Sequence, residues 1–163
     1  MPRISFDELP ADARLWIFSA SRPLTEAERS RLLEEVDAFL NQWVAHGVPL
    51  SAARDIRYNQ FVLVGVNERA AGVSGCSVDA LVRRMDQLQS VLGVELTNNA
   101  PVLFRDRDGI ARVPRERFAE MAGKGEVGLD TVVFDNTVQQ VGDVRSGRWE
   151  VRAADAWHGR AFF

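Results

Sequence analysis

Phe61-Val62-Leu63-Val64-Gly65-Val66 is a run of six residues with no polar side chain. A strand with one wet face alternates apolar and polar positions, so an unbroken run must be covered on both sides. The rest of the chain therefore has to build two layers around one interior strand. Hydrophobic residues make up 46% of the 163, which is enough material for such a core.

The flanking segments supply candidate layers. Arg14–Ser19, rich in aromatic and β-branched residues, reads as a strand that Ser21-Arg22-Pro23 breaks. Thr25 followed by Glu28 is a capping box, and Leu32, Val36, Phe39 and Trp43 recur at helical spacing after it. Gly47 and Pro49 are expected to close this helix, with His46 in its last turn, where a cation suits the dipole. Residues 53–58 read as an edge strand. Ser77 is expected to cap a second helix carrying Leu81, Met85, Leu88 and Leu92, which Gly93 stops. Val102–Arg105 and Ile110–Val113 flank Asp106-Arg107-Asp108-Gly109, a strong hairpin signal. Pro114 opens a short helix through Phe118 and Met121, and Thr131–Phe134 is a further strand. The pattern weakens from Asp135 onward, apart from Trp149, Trp157 and Phe162-Phe163.

The order strand, helix, two strands, helix, strand up to residue 105 is the ferredoxin-like split β-α-β layout. The expected fold class is α+β, with a ferredoxin-like part over 1–100. A small hairpin-helix-strand part over 101–163 follows it, the two packed as one unit with a docked tail. The helices at 25–46 and 77–92 would share one face of the sheet.

Several stretches resemble a family of small bacterial proteins that often carry the label "ABC transporter ATPase". They are Phe6–Pro10, Arg14–Phe18, Trp43–Leu50, Ser74–Asp79 and Ala156–Phe163. The residues contradict the label. A phosphate-cradling loop needs Gly-x-x-x-x-Gly-Lys and then Ser or Thr. The only lysine is Lys124, where Phe118 holds the place of the first glycine and Gly125 that of the hydroxyl residue. Residues 102–145 are similar to the bacterial GYF-like adaptor module through Gly109, Val113, Phe118, Gly125-Glu126-Val127, Asp130-Thr131 and Phe134. That resemblance implies a hairpin, a short helix, a closing strand and a peptide-binding aromatic surface. The tryptophan-rich surface expected after the closing strand is missing, and Trp149 is a distant substitute.

Chemistry-bearing residues are few. Cys76, between Gly75 and Ser77, falls at the beginning of a helix, where free N–H groups favour a thiolate or an anion. Gly75 would permit close backbone approach or positive φ. Ser74, Gly75, Cys76 and Ser77 thus form a candidate anion or ligand turn. Cys76 is a candidate nucleophile there, with His46 or His158 as base. The competing reading is a buried, inert cysteine in a tight turn, a helix-end histidine and a histidine that packs as the tail docks. Neither His-x-x-x-His nor Cys-x-x-Cys spacing occurs, so no metal site is expected. Asp106-x-Asp108-Gly109 has no glutamate at the offset a calcium loop requires. No cofactor is implied.

A net charge of −3 argues against a nucleic-acid partner. The absence of a long apolar run argues against a membrane span, and a start without an apolar signal core, with a single cysteine, suits the cytoplasm. The apolar ending Trp157, Phe162 and Phe163 either packs on the chain's own core or docks into a second copy as a homodimer. These readings converge on a non-catalytic binding or interaction protein with an unidentified protein or small-molecule partner. The alternative is a small thiol-dependent enzyme using Cys76.

Overall fold

The computed structural model describes residues 4–69 and 71–163. Residues 1–3, read above as part of a start without a signal core, and residue 70, in the connection 67–73, lie outside the described residues. The chain divides into two compact units, one of Met1–Thr97 with Gln139–Gly142 and one of Asn98–Val138 with Asp143–Phe163. Both mix helices with antiparallel sheet, as the α+β reading requires. Among the described residues no helix is long and apolar enough to cross a membrane.

In the first unit, β1 (Arg14–Ser19), α1 (Glu26–Gln42), β2 (Val44–Ala45), β3 (Val48–Pro49), β4 (Ala52–Arg57), β5 (Phe61–Val66) and α2 (Gly75–Leu92) follow in order. β5 is the middle strand of the antiparallel sheet β1-β5-β4, and all six of its residues are buried. Val62, Val64 and Val66 join Leu32, Val36 and Leu40 of α1 and Leu81, Met85 and Leu88 of α2 in one apolar cluster. Both helices therefore cover the same sheet face. Across the helix pair, Glu35 of α1 forms an ion pair with Arg84 of α2. On the opposite face a Cβ at Gly65 would lie 2.5 Å from Leu9 Cδ1 and 3.2 Å from Val141 Cγ2. That face is thus closely covered by the 3-10 turn region around Phe6–Glu8 and by the segment Gln139–Gly142.

Two expectations need correction here. The first helix stops at Gln42 rather than running to residue 46. Residues 43–50 instead form the β2–β3 hairpin, closed by the Leu50 N–H donating to the Trp43 carbonyl at 3.0 Å. Its two turn residues, His46 (φ 52°) and Gly47 (φ 75°), are both left-handed, as a type I′ turn demands. The second helix begins earlier than expected, with Ser74 rather than Ser77 as N-cap.

The expected fourth strand, β6 (Val102–Asp106), is not part of the β1-β5-β4 sheet, which is three-stranded. In the ferredoxin-like order that strand would lie against β1. The outer edge of β1 is instead occupied by returning chain: Arg14 bridges Gln140, and the Leu15 N–H donates to the Gln139 carbonyl at 2.8 Å.

In the second unit β6 pairs with β7 (Gly109–Val113) and β8 (Val132–Phe134), and β9 (Glu150–Arg152) completes the order β7-β6-β8-β9. The Asp-Gly turn forms as expected, with the Asp108 N–H donating to Asp106 Oδ1 at 2.8 Å and Gly109 at φ 129°. α3 (Arg115–Gly123) places Phe118, fully buried, at the centre of the core beside Phe104. A short helix α4 (Val141–Arg145) carries the chain from one unit to the other, and α5 (Trp157–Phe162) ends it. Phe162 packs on Phe118 with ring centres 4.9 Å apart, so this part of the tail docks on its own unit.

Gly65 tests the double coverage of β5. Gly65→Val should destabilise the protein by about 1–3 kcal/mol, because its methyl groups would displace Leu9 and Val141 from a filled layer. Urea unfolding of both proteins measures the difference.

Candidate functional site

The first turn of α2 is built by two serines. The Ser77 N–H donates to Ser74 Oγ at 3.1 Å, and the Ser74 N–H donates to Ser77 Oγ at 2.8 Å. The Ser77 hydroxyl donates in turn to the Ser74 carbonyl at 2.8 Å. This reciprocal box fixes where the helix starts. It also commits the Ser77 hydroxyl proton, leaving that group no donor for an anion. Gly75 is not left-handed, and a Cβ there would meet open space, so neither positive φ nor close approach explains it.

Cys76 follows on this turn and is exposed, which corrects the expectation that it would be buried. Beneath the turn lies Trp43, whose helical spacing in the sequence predicts only a core position. Its indole N–H donates to the Ser77 carbonyl at 2.8 Å, and its ring meets Trp16 at 5.9 Å and Phe39 at 5.5 Å. Trp43 thereby fastens the hairpin root to the first turn of α2. The hairpin buries Trp43, Ala45 and Leu50 and leaves Val44 and Val48 44% and 49% exposed. The signal for it was present in the sequence: His46-Gly47 between two short apolar pairs is I′ turn chemistry.

The histidines separate. His46 is exposed at the hairpin tip and is not hydrogen-bonded to Cys76. Its positive φ removes the helix-end role expected for it. His158 belongs to α5 of the second unit and is 1% exposed, with its ring stacked on Trp157 at 4.0 Å. It is enclosed by that unit's aromatic side chains rather than presented to a reactant. Trp149 is likewise no surface residue. It is buried, packs on Phe134 at 5.2 Å, and its indole N–H donates to Asn136 Oδ1 at 2.9 Å. Among the described residues no group of three His, Cys, Asp or Glu side chains could hold a metal ion.

An open cleft of about 500 Å³ lies elsewhere in the first unit, between Ile4–Glu8 and β4. Two of its charged groups are engaged. Arg54 forms a two-pronged pair with Asp37 at 2.8 and 2.9 Å, while Asp55 holds Arg57 at 2.6 Å and accepts the Ile56 N–H at 2.9 Å. Neither Cys76 nor a histidine lines it. No family model, curated protein or solved structure matches the chain.

The serine box and the thiol separate in their effects on stability. Ser74→Ala should cost about 1 kcal/mol through the lost cap, whereas Cys76→Ser should stay within about 0.5 kcal/mol. Denaturant midpoints at constant m-value report both.

Proposed function

We propose that the protein is a non-catalytic binding protein that engages a protein partner through the β2–β3 hairpin. One observation carries the reading: Val44 and Val48 face water on a hairpin whose root residues Trp43 and Leu50 are buried. A short hairpin fixed at its root is ordered before contact, so binding costs it little conformational entropy. Exposed β-branched side chains on such an element are suited to a partner's apolar surface. The first unit is read as an abridged ferredoxin-like layer, supported by its strand order β1-β5-β4 and by two helices on one face. A single cysteine, left reduced, fits a cytoplasmic setting.

The exposure of Cys76 on the first turn of α2 favours the second reading, a thiol-dependent enzyme. Among the described residues no base is hydrogen-bonded to the sulfur.

Affinity capture separates them. The wild-type chain should recover a discrete partner that Cys76→Ser retains and the double variant Val44→Glu/Val48→Glu loses. Equal recovery by the double variant would refute the hairpin as the binding element. The thiol reading makes the opposite demand: Cys76 must react with iodoacetamide much faster in the native chain than in urea. The binding reading expects no such acceleration.

A further inference from the structure

We infer that α5 is a latch released by acid: protonation of His158 undocks Trp157–Phe162 from the aromatic core of the second unit and uncovers Phe118. The argument starts from where the imidazole sits. His158 is 1% exposed, and its buried Nδ1 has no hydrogen-bond partner. Its ring is stacked on Trp157 at 4.0 Å, with Phe118 and Phe162 each at 6.4 Å. An imidazolium in that box would carry a charge into apolar surroundings with a donor unsatisfied.

The charged neighbours do not rescue it. Arg115 of α3, whose guanidinium lies over the Trp157 ring at 5.0 Å, repels a second positive charge. Asp135, which follows β8, attracts it but already accepts the Thr137 N–H at 3.0 Å and the Thr137 hydroxyl. Asp155, in the turn preceding α5, is paired with Arg152 at 3.2 Å. Burial dominates and holds the docked imidazole down to about 4, against 6.5 for the free side chain.

The element carrying His158 is short and weakly anchored. α5 has six residues and no side-chain cap. It packs on the turn Ala153–Asp155 at glycine distance: a Cβ at Gly159 would lie 2.6 Å from the Ala153 carbonyl oxygen. Short elements held by few side chains open before the sheet they cover. The sign follows from proton counting. The undocked imidazole binds a proton below about pH 6.5 and the docked one only below about pH 4. Docking is therefore at full strength above pH 6.5, weakens as pH falls through the window, and levels off below 4.

Hydrogen exchange of residues 153–163 in the full-length protein, corrected for intrinsic rates, tests this. Opening should rise about 10- to 30-fold between pH 7.5 and 5.0, while β5 keeps its protection. His158→Phe should abolish the pH dependence, and Gly159→Ala should open the segment at both pH values. Equal protection of 153–163 at the two pH values in the wild type, or an undiminished pH response in His158→Phe, would overturn the inference. The wild-type imidazole signals give an independent check, with His46 as the only other histidine. The His158 signal should shift over the same pH range in which protection is lost. Titration as a free imidazole with protection intact would also overturn it.

Discussion

The burial of Phe61–Val66 on both faces is the constraint from which the first unit follows. One face takes α1 and α2 together, and their stripes meet the valines at 62, 64 and 66. The other takes Phe6, Leu9 and Val141, packed so closely that residue 65 has room only for hydrogen. β1 and β4 flank this strand, and α1 and α2 cover one of its faces. At about 25 cal/mol per Å² of apolar surface removed from water, a six-residue strand with no wet face is a dominant source of stability in a unit this size. It also fixes register, since a slip of one residue would bring Gly65 to the helix face and a valine to the crowded one.

Trp43 links that core to the β2–β3 hairpin and the first turn of α2. The ring belongs to the apolar cluster, while its N–H reaches the first turn of α2. The position of the hairpin and the position of Cys76 are thus set by one buried side chain. The chemistry predicted for the turn contracts accordingly. Both serine side chains take part in the helix cap, His46 sits at the hairpin tip, His158 is enclosed within the second unit, and the thiol is exposed.

Local signals in the sequence were read well where the interacting residues are neighbours. Thr25 and Glu28 form the capping box that their spacing announces, at 3.2 and 2.9 Å, and Asp106–Gly109 turns the hairpin. Misreadings arose where two local rules compete. Val44 continues the helical stripe of Leu40, yet His46-Gly47 is stronger turn chemistry, and the turn wins because it lets Ala45 and Leu50 be buried. Ser74 and Ser77 are both acceptable caps, and a box made of two serines lacks the acidic residue that would distinguish first from third position. Long-range choices left no local mark. Nothing in Gln139-Gln140 resembles a strand, so β6 seemed the natural neighbour of β1. The enclosure of His158 depends on Phe118, distant in the chain, and was invisible for the same reason.

The return of Gln139–Gly142 to the first unit bears on how the protein is made. A chain emerging from the ribosome presents β1, α1, β4, β5 and α2 long before residue 139 exists. At about 5–20 residues per second, the edge of β1 and part of the face around Gly65 wait several seconds for the segment that closes them. Throughout that interval the nascent first unit has an unsatisfied strand edge, open to any extended chain that can pair with it. Its completion is a late, long-range event, and a ribosome stalled within residues 98–138 would hold the protein in its most association-prone form.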